Sequence, residues 1–90
     1  MSVELIFGSK SKVKVLRHLV RVGEDNITSV ARATGLNTVI VNRVIDDLKK
    51  AGVVEEKRFG RIRILKLVRS PVGEAVANIF KVVEGVRAGR

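Results

Sequence analysis

The hydrophobic period of this chain changes at Gly52. Before that glycine, apolar residues recur at helical spacing: Val13, Leu16, Leu19 and Val20, then Val41, Val44, Ile45 and Leu48 at i, i+3, i+4 and i+7. Beyond it, Val53-Val54-Glu55-Glu56-Lys57-Arg58 and Arg61 to Val68 read as two β-rich strands around Phe59-Gly60. A chain of 90 residues with this pattern is expected to form a single small α+β domain, mostly α, over residues 1–90. Zero Cys and one His exclude a disulfide framework, a thiolate metal site, a thiol nucleophile and a His-rich cluster. Stability is therefore left to packing, with help expected from dimerisation. No apolar run reaches the length of a bilayer span, so no membrane role is expected. Met1-Ser2-Val3-Glu4 lacks the regions of a secretory signal, and the expected location is cytoplasmic. The absence of Cys and Gln, with a single Met and Pro and many Val and charged residues, leans towards a thermophile's composition.

After the apolar prefix Val3 to Phe7, Gly8-Ser9 offers a break and an N-cap for a first helix that Gly23 closes. Lys10, Lys14, Arg17 and Arg21 fall within about 60° of one another on it, with no acid between Glu4 and Glu24. This stripe reads equally as a solvated face or as a phosphate-facing one. His18, at its edge, has no second His or Cys to complete a metal site and is expected at a core boundary. Glu24-Asp25-Asn26 reads as a polar turn, with Asn26 or Thr28 capping a short helix that runs to about Thr34 and ends at Gly35. Leu36 lies in a tight connection, and Asn37 or Thr38 caps a long helix that reaches Ala51. Short helix, turn and long helix make a helix-turn-helix over about 27–51. The long helix leaves Val39, Arg43, Asp46 and Lys50 outermost, with Asn42 and Asp47 flanking.

The hairpin, over about 53–68, has the character of a wing. Its alternation is strict from Arg61 to Ile64 and slips at Leu65, which predicts either a bulge or a strand buried on both faces. Between Glu56 and Glu74 there are six basic residues and no acid. A strand edge defended by Lys and Arg would give the same run. Clustering at the hairpin tip beside a helix-turn-helix favours nucleic-acid contact instead. Ser70-Pro71 starts a last helix over about 71–87, with Glu74 near the positive end of its dipole. Val72, Val76, Ile79, Val83 and Val86 repeat at spacings of four and three, flanked by Ala75, Phe80 and Val82. The resulting apolar arc of roughly 160° is wider than a minimal seam, so one face is expected to cover the core and another to meet a second copy. The expected homodimer contacts are Val72, Val76, Ile79, Phe80, Val83 and Val86.

Three segments carry a family resemblance: "SKVKVLRHLV" (Ser11 to Val20), "VNRVIDDLKKAGVV" (Val41 to Val54) and "SPVGEAVANIF" (Ser70 to Phe80). With the order three helices, two-stranded β-wing and C-terminal helix, the chain resembles the winged helix-turn-helix domains of prokaryotic transcription regulators, and an archaeal source is expected. The resemblance is notably to the ArsR, MarR and PadR groups, over nearly the whole chain, and is not specific for one of them. The resemblance implies binding of double-stranded DNA as a dimer, with the long helix in the major groove and the wing beside the backbone or minor groove. The metal sensing of the ArsR group does not carry over, because its Cys and His ligands are missing here.

The residues suit that assignment on their own chemistry. A helix fits the major groove, and a hairpin bearing Lys57, Arg58, Arg61 and Arg63 neutralises phosphates and releases counterions. Arg43 suits a bidentate contact to guanine, Asn42 to adenine, and Thr38 a base edge or a phosphate. Val39 and Ile40 are apolar for a groove-facing turn and suit thymine methyls or a protein partner. Asn37, Lys49 and Lys50 complete the candidate DNA-contacting set. Asp46 and Asp47 would be repelled by phosphates unless Arg43, Lys49 or Lys50 pairs with them, which favours entry by the helix N-terminus.

Three functions compete. A dimeric, nucleoid-associated regulator would read a roughly palindromic site. A chromatin-like architectural protein would coat DNA through the same surface, favoured by the net charge of +9 and the two Asp. A winged-helix interaction module would use Val39 and Ile40 as partner contacts. No enzyme is expected, since no phosphate-cradling glycine motif, acid/base pair or activated nucleophile is present, and no cofactor is implied. Glu55 and Glu56 point to opposite faces of a strand and read as solvated wing charges. A small-molecule effector would sit at the dimer interface, and no residue identifies one.

Overall fold

Four helices start on side-chain caps that the sequence supplies. Ser9 Oγ accepts from the Lys12 amide at 3.1 Å, Asn26 Oδ1 from Ser29 at 2.8 Å, Asn37 Oδ1 from Ile40 at 2.9 Å and Ser70 Oγ from Gly73 at 3.1 Å. Each satisfies an amide that the first turn leaves unpaired. The computed structural model describes residues 2–87; Met1 and residues 88–90 of the expected domain lie outside the described residues. In chain order the elements are α1 (Glu4–Phe7), α2 (Lys10–Val22), β1 (Glu24–Asn26), α3 (Ile27–Thr34), α4 (Thr38–Lys50), β2 (Val54–Phe59), β3 (Ile62–Leu67) and α5 (Pro71–Glu84).

This is an α+β winged helix-turn-helix, with two additions to the expected layout. The prefix Val3 to Phe7 contains a one-turn helix, α1, whose Ile6 is buried. Glu24-Asp25-Asn26, expected as a polar turn, is a strand: it pairs antiparallel with β3 through Glu24↔Lys66, Asp25↔Leu65 and Asn26↔Ile64. The sheet therefore has three strands in the order β1-β3-β2. β3 is its central strand, with Leu65 fully buried on one face and Ile64 and Lys66 half-buried on the other. The register from Val54↔Leu67 to Phe59↔Ile62 runs unbroken, without a bulge, and Leu65 is flanked by strands on both sides and fully buried. The turn falls one residue later than expected, at Gly60-Arg61. A positive φ of 63° at Gly60, with none at Arg61, is the dihedral pattern of a type II′ hairpin turn.

The core lies where α2, α3 and α4 converge on the inner face of the sheet. Leu16, Leu19, Val30, Val41, Ile45, Leu48, Val53 and Leu65 are all fully buried. The other side of α2 is covered by α5, whose start is held close to β3: a Cβ at Gly73 would collide with the Val68 carbonyl, so the Ser-Pro-x-Gly segment needs its glycine. At its far end, Arg17 of α2 grips Glu84 with two bonds of 2.7 and 2.9 Å and lies over the Phe80 ring at 6.0 Å.

That packing corrects the expected dimer face. Val76 and Phe80 are buried in the chain's own core, and Val72 and Val86 lie half-buried against it. Ile79 and Val83 remain exposed, joined by Val82. The helix also stops at Glu84 rather than about 87. Gly85 takes a left-handed φ of 69°, and the Val86 amide donates back to the Phe80 carbonyl.

Candidate nucleic-acid interface

Strand parity decides which wing side chains meet α4. Val54, Glu56 and Arg58 share one face of β2 with Arg63, Leu65 and Leu67 opposite them on β3. Val54 and Leu65 are in the core, so Glu56 and Arg63 are carried to the core's rim beside α4. There Arg63 binds Glu56 bidentately, Nε to Oε2 at 2.7 Å and Nη2 to Oε1 at 2.9 Å. Its remaining nitrogen, Nη1, donates to Asn42 Oδ1 at 2.6 Å, and Asn42 Nδ2 donates to the Thr38 carbonyl at 2.9 Å. Lys49 Nζ closes the cluster on Glu56 Oε1 at 3.1 Å.

Glu56, which strand parity with Glu55 suggested as a solvated wing charge, is instead the hub of this cluster, its side chain 8% exposed. Glu55, on the opposite face, does point to solvent. The Arg63 hydrogen bonds, opposed by burial and reinforced by Lys49, hold the Glu56 carboxyl at about 2, below its ordinary 4.5. The same bonds raise the Arg63 guanidinium above its usual value. Arg58 Nε also approaches Glu56, at 3.4 Å, but its side chain is 69% exposed and the contact is weak.

The cluster divides the candidate DNA-contacting residues into two sets. Asn42, Lys49 and Arg63 are committed to contacts within the chain, which corrects the expectation that Asn42 offers a free carboxamide and Arg63 a free phosphate contact. Arg43 and Lys50 on α4 and Lys57 and Arg61 on the wing are exposed and make no ion pair among the described residues. Thr38 and Val39 stand exposed in the first turn of α4, Val39 at 65%, and Asn37 beside them spends its carboxamide oxygen on the cap. Asp47 pairs with none of Arg43, Lys49 and Lys50 at helical spacing. It reaches Lys12 of α2 at 3.0 Å, which draws one of the two carboxylates back into the body.

The basic stripe of α2 lies apart from this surface. Lys12, which faces α4, is about 200° around the helix from Lys10, so the stripe turns away from α4, and Arg17 within it is held by Glu84. His18 sits at the rim of the core, with Nε2 2.7 Å from Asp25 Oδ2 on β1. Among the described residues no group of three His, Cys, Asp or Glu could hold a metal ion, and no helix is long and apolar enough to cross a membrane. Sequence reasoning missed the roles of Glu56 and Lys12. The signal for Glu56 was its parity with the apolar Val54; for Lys12 there was none, because its partner is on another helix.

No family model matches the chain, and no curated protein matches it. Solved structures do. A fragment, residues 1–100, of a "possible transcriptional regulatory protein" from Mycobacterium bovis superposes with a TM-score of 0.73 at 28% identity, covering 93% of this chain and 85% of that one. A mutant of the type III plasmid segregation protein TubR superposes with a TM-score of 0.71 at 25% identity, covering 92% of this chain and 88% of that one. The chain shares their fold. The likeness spans helix-turn-helix, wing and α5 together, so the cluster at Glu56 sits at the junction between two parts of a fold found in a regulatory and a segregation protein.

Proposed function

We propose that the chain is a transcription regulator that binds double-stranded DNA as a homodimer, with the start of α4 in the major groove and the wing on the flanking backbone. One observation carries this reading: Arg63 bridges Glu56 on the wing and Asn42 on α4, so helix and hairpin approach a duplex as one rigid unit. The free cations lie on either side of that bridge. Arg43 is the residue for a guanine edge, Thr38 for a base edge or phosphate, and Val39 for a thymine methyl. Lys50, Lys57, Arg58 and Arg61 neutralise phosphates. Asn42, Lys49 and Arg63 position these groups. The exposed Ile79, Val82 and Val83 of α5 form the surface offered to a second copy, which would set two copies of α4 about one helical turn of DNA apart. The descriptions of the two similar structures, one regulatory and one concerned with plasmid segregation, support a role at DNA.

A second reading, a chromatin-type protein with little base preference, is favoured by the commitment of Asn42 within the chain, which leaves Arg43 as the main base-reading side chain. Fluorescence anisotropy on the gene's upstream duplex and on a shuffled one, from about 50 to 200 mM salt, separates the two. A preference of about a thousandfold supports the regulator. Equal, steeply salt-dependent binding supports the second reading, and no binding to either duplex overturns both. Arg43→Ala is expected to relax base preference at a cost of about 1–3 kcal/mol. Arg58→Ala with Arg61→Ala should weaken all duplexes alike and flatten the salt slope by about two. Equal effects from the two variants would count against groove reading.

A further inference from the structure

At the wing tip two large apolar side chains stand in the open. Phe59 is 64% exposed and Ile62 55% exposed, and they face each other directly across the hairpin. They lie on the face opposite Arg58 and Arg63, so neither the core nor α4 covers them. Three exposed cations surround the pair: Lys57 two residues before Phe59 on the same face, Arg58 on the other face, and Arg61 in the turn itself. An apolar knob in a cationic collar has a narrow choice of partner. A second copy of the tip would bring the same charges against it, and an apolar protein pocket would have to strip water from the collar without offering anions in return. A minor groove offers both halves at once, with phosphates along its walls and stacked bases at its floor.

We infer that Phe59 and Ile62 are a wedge that enters the minor groove beside the α4 site and opens a base step, kinking the duplex. The dimensions favour it. Two paired strands are about 4.8 Å apart before their side chains are added, whereas the minor groove of straight B-DNA is only about 6 Å wide. The tip enters only a groove that has been widened, and an apolar side chain between two bases widens it by bending the duplex towards the major groove, where α4 lies. Steps that unstack easily, TA and CA/TG, are the expected targets. The inference rests on the DNA reading proposed above and adds to it a mechanical act that neither phosphate contact nor base reading requires.

The test is energy transfer between dyes on the two ends of a duplex of about 30 base pairs from the gene's upstream region, with anisotropy of the same duplex recorded in parallel. The wild-type protein should bring the ends closer by a bend in the range of about 20–90°. Phe59→Ser with Ile62→Ser should return the ends to the free-duplex distance while leaving the salt dependence of binding unchanged, because Lys57, Arg58 and Arg61 remain. Phe59→Leu should keep the bend. A wild-type complex that forms by anisotropy on a straight duplex overturns the wedge and leaves the DNA reading standing, as does a double variant that bends DNA as the wild type does. A wild-type protein that binds no duplex overturns both.

Discussion

The base and the tip of the wing are a few residues apart on the same two strands, and they reverse the usual placement of charge and apolar surface. At the base an arginine and a glutamate are drawn in, and Glu56 is nearly buried. At the tip Phe59 and Ile62 are left in water. The difference teaches that in a two-stranded ribbon the position of a residue along and across the strand, not its polarity, decides its fate. Parity turns Glu56 and Arg63 towards α4, where they satisfy each other, and beyond that point Phe59 and Ile62 are left largely uncovered by the described residues. The base is the joint that holds wing to helix; the tip is apolar surface left exposed.

The contrast breaks most visibly at the base. Arg63→Ala leaves Glu56 with its weaker partners alone and removes the bond to Asn42, and the unfolding free energy measured in urea should fall by about 2–3 kcal/mol. A fall below about 0.5 kcal/mol would mean that the cluster is an ordinary surface ion pair.

Acid should reproduce part of that loss. The Glu56 carboxyl is depressed from 4.5 to about 2 in the folded chain, so its contribution is fully present above about pH 4.5 and is lost as the pH falls through 4.5 towards 2. About 2 kcal/mol is at stake once solvent screening of the exposed cations is discounted. Glu56→Gln should flatten that limb of the stability curve, and an unchanged limb would assign it to other carboxylates.

The smallest effect belongs to the tip. Phe59→Ser should change stability by no more than about 0.5 kcal/mol, since the ring contributes little burial to the fold. A larger loss in thermal or urea unfolding would show that the tip supports the hairpin, and would remove the contrast with the base.

Much of the architecture was legible beforehand. The caps at Ser9 and Ser70, the cap pairs Asn26 or Thr28 and Asn37 or Thr38 of which the asparagines serve, the apolar period of α2 and α4, and the switch at Gly52 all announce their elements, because each depends on residues within a turn or two of one another. Strand β1 was hidden for the opposite reason. Glu24-Asp25-Asn26 has no apolar alternation, and it is a strand because β3, some forty residues later, presents a ladder of unpaired groups. The last helix was half legible. Its apolar arc was visible, but a helical wheel cannot tell which part the chain itself covers, and α2 took Val76 and Phe80 while leaving Val82 and Val83 outside.

The candidate interface divides along the same line. Local spacing alone determined that Thr38, Val39 and Arg43 open and flank an exposed helix face and that the wing is basic. Only the tertiary structure decided which of those groups are free. Arg63 meets Asn42 across 21 residues of chain, and Glu56 gathers Arg63 and Lys49 from a neighbouring strand and from α4. Charge pairing in a fold depends on register and helix packing, which no local window contains, whereas caps and periods are written within four residues.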